Sequence, residues 1–509
     1  MLFNSYAFLF VFLPVALAGY HLAGRFRRTA VVLWLGLASL AFYAIWRPAY
    51  VLLLAGSILI NFIAASLISR RIPNRIAPRL VLVAGITLNL AVLAYFKYLF
   101  PLLGLVGHGH ALPNVVLPLG ISFFTFTQIA YLIDLEQGAA TQEDLPGYLL
   151  FVTFFPHLIA GPILHHSEMM PQFRREGRYR LSLSGFTVGL SWFIMGLGKK
   201  VLLADTFAKT ANVIYGHQAP LTAILSWRGI LCYALQLYFD FSGYSDMALG
   251  LARMFSIDFP LNFASPYKAT SLIDYWQRWH ITLTRYVTAY LYNPLQLWIS
   301  DLRQLRGQKV SRKALATPGG FASMIAFPML LTFAITGVWH GAGPKYVIFG
   351  LIHGVYLTIN HAWRIFRPKS SPTAPSRKFG SILLTFLAVI AAQTFFRGDS
   401  CHHALSILAG ATALHGIGSW RLPNESTAAA LADILTVFAG LFIVWFLPNT
   451  QQILRRFKPA LDLTQWDEAP TPTLFLWKPS LPWALGLCAL FFLSLVYLQQ
   501  PSTFLYFQF

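Results

Sequence analysis

Apolar runs dominate the chain and return at the length of a membrane span. A helix that crosses a bilayer needs about 20 mainly apolar residues. Such stretches fall at 5–24, 30–46, 49–69, 80–100, 115–133, 181–198, 221–239, 319–340, 345–362, 380–396, 428–447 and 481–499. Two weaker stretches interrupt the pattern. The first, 145–164, contains Pro156, Gly161 and Pro162, and the second, 403–417, contains histidines and glycines. Both read as re-entrant candidates, because a broken backbone at membrane depth is tolerated only inside protein or beside a water-filled cavity. The longest polar stretches, 301–318, 364–379, 397–403 and 449–480, are loops. No repeat of 20–50 residues and no inverted symmetry of the transporter kind is visible.

Composition agrees with this pattern. Of 509 residues, 56% are hydrophobic and 11% charged, against about 25% charged in an ordinary globular domain. That excludes a soluble multidomain enzyme, and the 16% aromatic content excludes collagen-like and disordered chains. Lys and Arg number 38 and Asp and Glu 18, a formal charge of +20. The cations sit in short loops: Arg25–Arg28, Arg70–Arg79, Arg174–Arg180, Arg303–Lys313, Arg364–Lys378 and Arg455–Lys458. This is how loops held on the cytoplasmic side look, and it favours anionic lipid headgroups. No basic helix or aromatic platform stands outside the apolar runs, so nucleic acid is not an expected partner. Cys232, Cys401 and Cys488 are far apart and form no Cys-x-x-Cys, which argues against a disulfide framework or a thiolate zinc site.

The first apolar run ends near Ala16-Leu17-Ala18, which looks like a cleavage site. No Lys or Arg precedes it and Arg25–Arg28 follow it, so a retained anchor with its N-terminus outside is expected. Counting spans onward puts the basic loops of the N-terminal half on one side if 145–164 dips without crossing. Lys199 and Lys200 fit that count less well.

Ionisable residues inside apolar segments are costly and commonly mark function. The densest group runs from Asp240 to His280. Its opening, Asp240-Phe241-Ser242-Gly243-Tyr244-Ser245-Asp246, reads structurally as a capping turn between two helices, with Gly243 permitting the break. Further on, a helix at about 100° per residue would place Asp274, Arg278 and Arg285 on one face. Asp274 and Arg278 have the i,i+4 spacing of an ion pair. Ile273, Trp276, His280, Thr284, Val287 and Leu291 would take the other side, as on an amphipathic helix at the membrane interface.

A third group is Thr336-Gly337-Val338-Trp339-His340-Gly341-Ala342-Gly343-Pro344, where a histidine ends an uncharged run and His353 follows 13 residues later. An imidazole titrates near neutrality and can take a proton from a hydroxyl and return it to a leaving group. Acyl transfer to an alcohol needs little beyond such a base, an oxyanion donor and aligned substrates. No Gly-x-Ser-x-Gly elbow, His-Glu-x-x-His motif or clustered metal spacing is present, so no metal site is expected. The pairs His108/His110, His165/His166 and His402/His403 read as solvated loop residues. A buried structural role for His280 or His340 stands beside the catalytic one.

Several ordered motifs resemble the membrane-bound O-acyltransferase family, in its bacterial branch of alginate and peptidoglycan O-acetyltransferase membrane subunits and the teichoic-acid D-alanyl transfer protein. They are Met1-Leu2-Phe3-Asn4-Ser5-Tyr6, Gly120–Phe126 with Tyr131–Asp134, Phe154–Pro162, Asp240–Asp246, Arg278–Leu283, Trp339–Ala342 and Pro448-Asn449-Thr450. The resemblance covers about residues 1–450. It implies an all-α polytopic transmembrane protein, with re-entrant and interfacial helices around a central tunnel. It also implies one integral membrane acyltransferase domain over 1–509: N-terminal spans in 1–114, a motif-bearing core at about 115–362 and C-terminal spans in 380–499.

The resemblance further implies that His340 is the catalytic base and that His280 supports it. Asp240, Tyr244, Asp246, Trp276, Arg278, Trp279, Thr284, Trp339 and His353 would line or support the tunnel. The donor would be acetyl-CoA or another acyl thioester arriving from the cytoplasm, with no tightly bound cofactor. The acceptor would be a hydroxyl of an exported polysaccharide or of a partner protein outside the bacterial cytoplasmic (inner) membrane. One departure stands out. Where alginate-type members carry an Arg-Asp pair and Tyr-Leu-Tyr-Ile-Pro-Leu-Gly-Gly, this chain has Thr288-Ala289-Tyr290-Leu291-Tyr292-Asn293-Pro294-Leu295-Gln296. The competing readings are a transporter or lipid-linked glycan flippase without chemistry, and a scaffold that anchors an acyltransferase.

Overall fold

A computed structural model describes residues 1–70, 78–105, 116–174, 182–217, 219–367, 375–422, 425–458, 460–461, 471–498 and 504–505. His108, His110 and much of the basic stretches 70–79, 174–180 and 364–378 lie outside the described residues. The main helices are α1 (Leu13–Ala23), α2 (Arg28–Ala44), α3 (Ala49–Arg70), α4 (Pro78–Ala94), α5 (Ile121–Glu136), α6 (Leu145–Thr153), α7 (His166–Phe173) and α8 (Leu183–Gly198). They continue with α9 (Asp205–Tyr215), α10 (Ala223–Met254), α11 (Leu272–Arg278), α12 (Ile281–Val287), α13 (Asn293–Leu305) and α14 (Phe327–His340). The chain closes with α15 (Pro344–Phe366), α16 (Pro375–Arg397), α17 (Cys401–Ala411), α18 (Thr427–Phe446) and α19 (Leu481–Tyr497). The described residues form no strand, only isolated bridges at Pro260–Leu461 and Phe263–Trp279. The protein is an all-α, multi-pass membrane protein.

Among the described residues, six helical segments are long and apolar enough to cross a bilayer: Ala49–Ser69, Pro78–Leu103, Leu183–Tyr215, Pro318–His340, Ser376–Arg397 and Thr427–Phe446. Phe8–Ala23, Arg28–Ala44 and Leu481–Tyr497 are shorter apolar helices. The remaining apolar stretches are helical too, but differ from simple spans. α5 has only 16 residues, most of them buried in protein. α10 carries Arg228 and Asp240, and α15 carries His353, Asn360 and His361, which lower their apolar character. Hydroxyl and carboxylate side chains start the helices as sequence rules expect. The side chains of Asp144, Ser182, Ser271 and Ser426 each accept from the backbone N–H three residues on.

The chain divides into two compact units. The first comprises residues 1–202, 241–261 and 450–508. Here α3 and α4 are joined by reciprocal amide bonds between Asn61 and Asn89, at 3.2 and 2.7 Å. Gln128 adds a bond to Ser57 at 2.9 Å. Between helices in lipid, where apolar burial gives little preference, such bonds fix partners. α8 meets the second half of α10 backbone to backbone. A Cβ added at Gly196 would lie 2.7 Å from the Gly243 carbonyl oxygen, and one at Gly243 would lie 2.8 Å from that of Gly196. Gly243 therefore opens no turn. The expected break at Asp240–Asp246 is absent, and α10 runs unbroken through it for 32 residues. The glycine serves close helix packing instead.

Asp246 faces that contact and is fully engaged. It accepts from Trp192 Nε1 at 2.9 Å, Lys199 Nζ at 2.6 Å and Thr450 Oγ1 at 2.7 Å. This explains why Lys199 and Lys200 fit no loop count: Lys199 is paired within the unit and Lys200 is buried. His165 and His166 are not solvated loop residues either. His166 is buried, with Nε2 2.9 Å from Glu143 Oε1, and His165 lies 3.7 Å from Asp134. Arg174 also bonds Glu143. Burial raises the Glu143 carboxyl, but the His166 hydrogen bond and the Arg174 charge outweigh it and hold the group below the usual carboxylate range.

The second unit comprises residues 203–240 and 262–449. Its buried cation Arg228 is forked onto Glu425 at 2.6 and 2.8 Å and reaches Asp433 at 2.7 Å. His403 is buried and lies 3.8 Å from Asp399, so it departs from the solvated reading, whereas its neighbour His402 is exposed as expected. α14 and α15 form a tight hairpin. A Cβ at Gly337 would meet the Tyr346 carbonyl oxygen at 2.3 Å, and one at Gly350 would meet that of Phe333 at 2.1 Å.

Candidate active site

His340 is the last residue of α14, and the chain leaves it in extended conformation at Gly341. Its ring is buried among aromatic edges. Trp339 lies 4.8 Å away, Phe396 of α16 5.1 Å and Phe349 of α15 5.8 Å, centroid to centroid. Phe349 in turn packs on His353 at 4.8 Å, so a single phenylalanine touches both imidazoles. Trp276 stands edge-on to His353 at 5.1 Å and donates its indole N–H to His353 Nδ1 at 3.2 Å. An acceptor Nδ1 fixes the tautomer that carries its proton on Nε2. The structure thus joins Trp276, His353, Phe349 and His340, of which sequence reasoning identifies all but Phe349.

His280 is placed by a different device. The expected continuous helix over 273–291 is broken at Trp279 and His280. Trp279 is extended and bridges Phe263, and His280 takes a left-handed φ of 45°. Asn262 locks the turn: its carbonyl accepts from Ile281 N at 3.0 Å and its side chain from Thr282 Oγ1 at 2.8 Å. A non-glycine residue in this region carries about 1–2 kcal/mol of strain, so the surrounding contacts over-determine it. The single amphipathic face therefore does not persist past Arg278. Its first half stands, with Arg278 Nε bonded to Asp274 Oδ1 at 2.5 Å. Burial pushes the His280 imidazole well below its ordinary range and keeps it neutral. Trp279 stacks on Tyr275 at 5.7 Å and Tyr267 at 6.3 Å.

A cavity of about 290 Å³ opens beside these elements, lined by α11, α12, α14 and α15. Trp276 and Thr284 line it, with Gln277, Thr332, Thr336 and His361 among apolar neighbours. The buried hydroxyls of Thr284 and Thr332 have no hydrogen-bond partner among the described residues. Sequence reasoning misses Thr332 and Thr336 as site residues. Their spacing is the available signal, because 332, 336 and 340 form one stripe of α14 at successive turns. Asp240 is buried in α10 within the second unit. Tyr244 and Asp246 belong to the first, where Tyr244 stacks on Phe3 at 4.8 Å and Asp246 holds the clamp described above. Among the described residues no group of three or more His, Cys, Asp and Glu could hold a metal ion.

The sequence profile of the MBOAT, membrane-bound O-acyltransferase family, matches residues 121–306. The chain is 39% identical to the peptidoglycan O-acetyltransferase of Helicobacter pylori, over 84% of this chain and 82% of the relative. It is 34% identical to the probable alginate O-acetylase of Pseudomonas putida along the full length of both. The teichoic acid D-alanyltransferase of Bacillus subtilis is 26% identical over 61% of this chain and 76% of its own length. The chain belongs to the membrane-bound O-acyltransferase family. As a family member it is an O-acyltransferase.

Proposed function

We propose that this chain transfers an acetyl group from a thioester donor on the cytoplasmic side, acetyl-CoA or an acyl carrier, to a hydroxyl of an exported polysaccharide. Where a partner protein relays the group to the glycan, a hydroxyl of that partner is the immediate acceptor, and the membrane is the bacterial inner membrane. The observation that carries this reading is the placement of His340 at the tip of α14, coupled through Phe349 to a His353 oriented by Trp276. His340 takes the proton of the acceptor hydroxyl as its oxygen attacks the thioester carbonyl. A C–O bond forms, the C–S bond breaks, and the proton passes to the departing sulfur, leaving an ester and a free thiol. His280, neutral and fixed in its turn, positions substrate and takes no proton from it during the transfer. The names of the relatives support acetyl as the group moved and a cell-envelope polymer as the acceptor.

The test is acetyl transfer by the purified chain in proteoliposomes, from labelled acetyl-CoA to polysaccharide. His340→Gln should lower the rate by about 10²–10⁴-fold, the usual contribution of a positioned base, with insertion and thermal midpoint unchanged. A His340→Gln protein that transfers at the wild-type rate would overturn the assignment.

A further inference from the structure

The apolar side of α13, in the second unit, is only half covered by protein. Ile299 forms a buried cluster with Ala314 and Met324, and Leu295 packs against it. Trp298 and Leu305 are the uncovered edge. They stand seven residues apart, within about 20° of each other on the helix, and are 57% and 84% exposed. Leu297 beside them is 66% exposed.

Two hydrogen bonds fix how α13 lies. Gln296 donates to the Met324 carbonyl at 3.3 Å, and Arg303 donates from Nη1 to Ser323 Oγ at 2.7 Å. The two donors stand about 10 Å apart along α13, yet they reach adjacent residues of the span Pro318–His340. α13 therefore crosses that span instead of running alongside it. Met324 stands about 9 Å along the span from its start, which is the depth at which an amphipathic helix rests in a bilayer surface. Tryptophan is the residue type that favours this depth.

The chain that leaves α13 is cationic. Residues 301–313 hold Arg303, Arg306, Lys309, Arg312 and Lys313 against Asp301, an excess of +4. Arg303 braces the turn, donating from Nη2 to the Lys309 carbonyl at 3.4 Å. The other four cations are exposed and make no ion pair among the described residues. They lie within a dozen residues of Pro318, where the span begins, so they stand at the level of lipid phosphates. The basic turn Arg455–Lys458 differs, because it exposes no large apolar side chain. At α13 the charges and the apolar edge coincide.

We propose that α13 and the turn after it form a docking surface for an anionic phospholipid. Trp298 and Leu305 enter the boundary of the acyl chains. Arg306, Lys309, Arg312 and Lys313 take the phosphate oxygens in charge-assisted hydrogen bonds. A soluble acidic protein meets the cations but does not reach an apolar edge set below the phosphates. The surface is continuous with the candidate site. A π-helical turn, Thr288–Tyr292, joins α13 to α12, and Thr284, Val287, Thr288 and Tyr292 line the cavity. A lipid bound at α13 therefore steadies one wall of that cavity.

The experiment titrates the full chain in neutral detergent with dioctanoyl phosphatidylglycerol and with dioctanoyl phosphatidylcholine, and reads bound lipid by native mass spectrometry. The wild type should hold the anionic lipid at least about tenfold more tightly. Arg306→Gln, Lys309→Gln, Arg312→Gln and Lys313→Gln should each weaken it by about fivefold, the worth of one cation at an anionic surface, and leave the zwitterionic lipid unaffected. Trp298→Gln and Leu305→Gln should weaken both lipids alike. Arg456→Gln with Lys458→Gln, in the basic turn without an apolar edge, should bind as the wild type does. Equal wild-type binding of the two lipids, or a preference that survives replacement of all four cations together, would overturn the proposal. So would displacement of the anionic lipid by an equal concentration of inorganic phosphate or of a hexaglutamate peptide, which would assign the cations to a free anion or to an acidic protein. If the fourfold variant does not fold, the wild-type preference and the single variants decide the question.

Discussion

Asp246 and His340 are both ionisable groups buried in long helices, yet their surroundings differ in kind. Asp246, in the first unit, is saturated by an indole N–H, an ammonium and a hydroxyl. His340, in the second, is enclosed by aromatic edges, and one turn before it Thr336 lines a cavity. A charge matched on every side does structural work, because any change in its protonation breaks several bonds together. Neutral rings and hydroxyls beside an open volume keep the freedom to bind and to move a proton. An ionisable residue at membrane depth marks function only when its surroundings leave it something to do.

The largest test of this contrast is Asp246→Asn. Removing one partner of a buried ion pair costs about 3–5 kcal/mol, so the detergent-solubilised protein should lose its thermal midpoint sharply. The fraction that remains folded should transfer acetyl groups at the wild-type rate per molecule. A lower rate in that fraction would place Asp246 in the chemistry and dissolve the contrast.

On the other side, Thr332→Val removes a buried hydroxyl that has no partner among the described residues. Such a group costs about 1–3 kcal/mol, so the thermal midpoint should rise while transfer slows. A fall in both would show that the hydroxyl holds the fold. Trp276→Phe keeps the ring but removes the donor to His353 Nδ1. A neutral hydrogen bond is worth about 1 kcal/mol, which predicts a drop in kcat of about fivefold with little change in KM. Unchanged kcat would detach His353 from the site.

The smallest effect concerns Glu143, a second saturated acid of the first unit. Its carboxyl is lowered in the native state. The stability it adds is therefore fully present above the ordinary glutamate value of about 4.3, and is lost as pH falls through the lower native value. Thermal midpoints measured between pH 3 and 6 should fall on the acid side in the wild type and flatten in Glu143→Gln. Identical curves would show that the His166 and Arg174 contacts carry no net energy.

What is legible in the sequence is local. The Asp274–Arg278 pair follows from i,i+4 spacing, and the apolar runs mark most of the long helices. What is not legible depends on partners distant in the chain. The break at His280 comes from Phe263 pairing with Trp279, a contact that periodicity within 273–291 does not encode. Gly243 resembles a hinge because glycines permit turns, and only the presence of Gly196 opposite shows it to be a contact point. His165 and His166 look solvated until Asp134 and Glu143 are brought to them. The site is half visible. Trp276, His340 and His353 stand out, but Phe349, which touches both histidines, looks in sequence like one more apolar residue.

The hairpin of α14 and α15 has a mechanical consequence. With Gly337 and Gly350 pressed onto the facing backbones, neither helix can ratchet past the other without collision. Admission of a bulky reactant is then expected to displace the pair as a single rod or to shift its neighbours, which would carry His340 and His353 together.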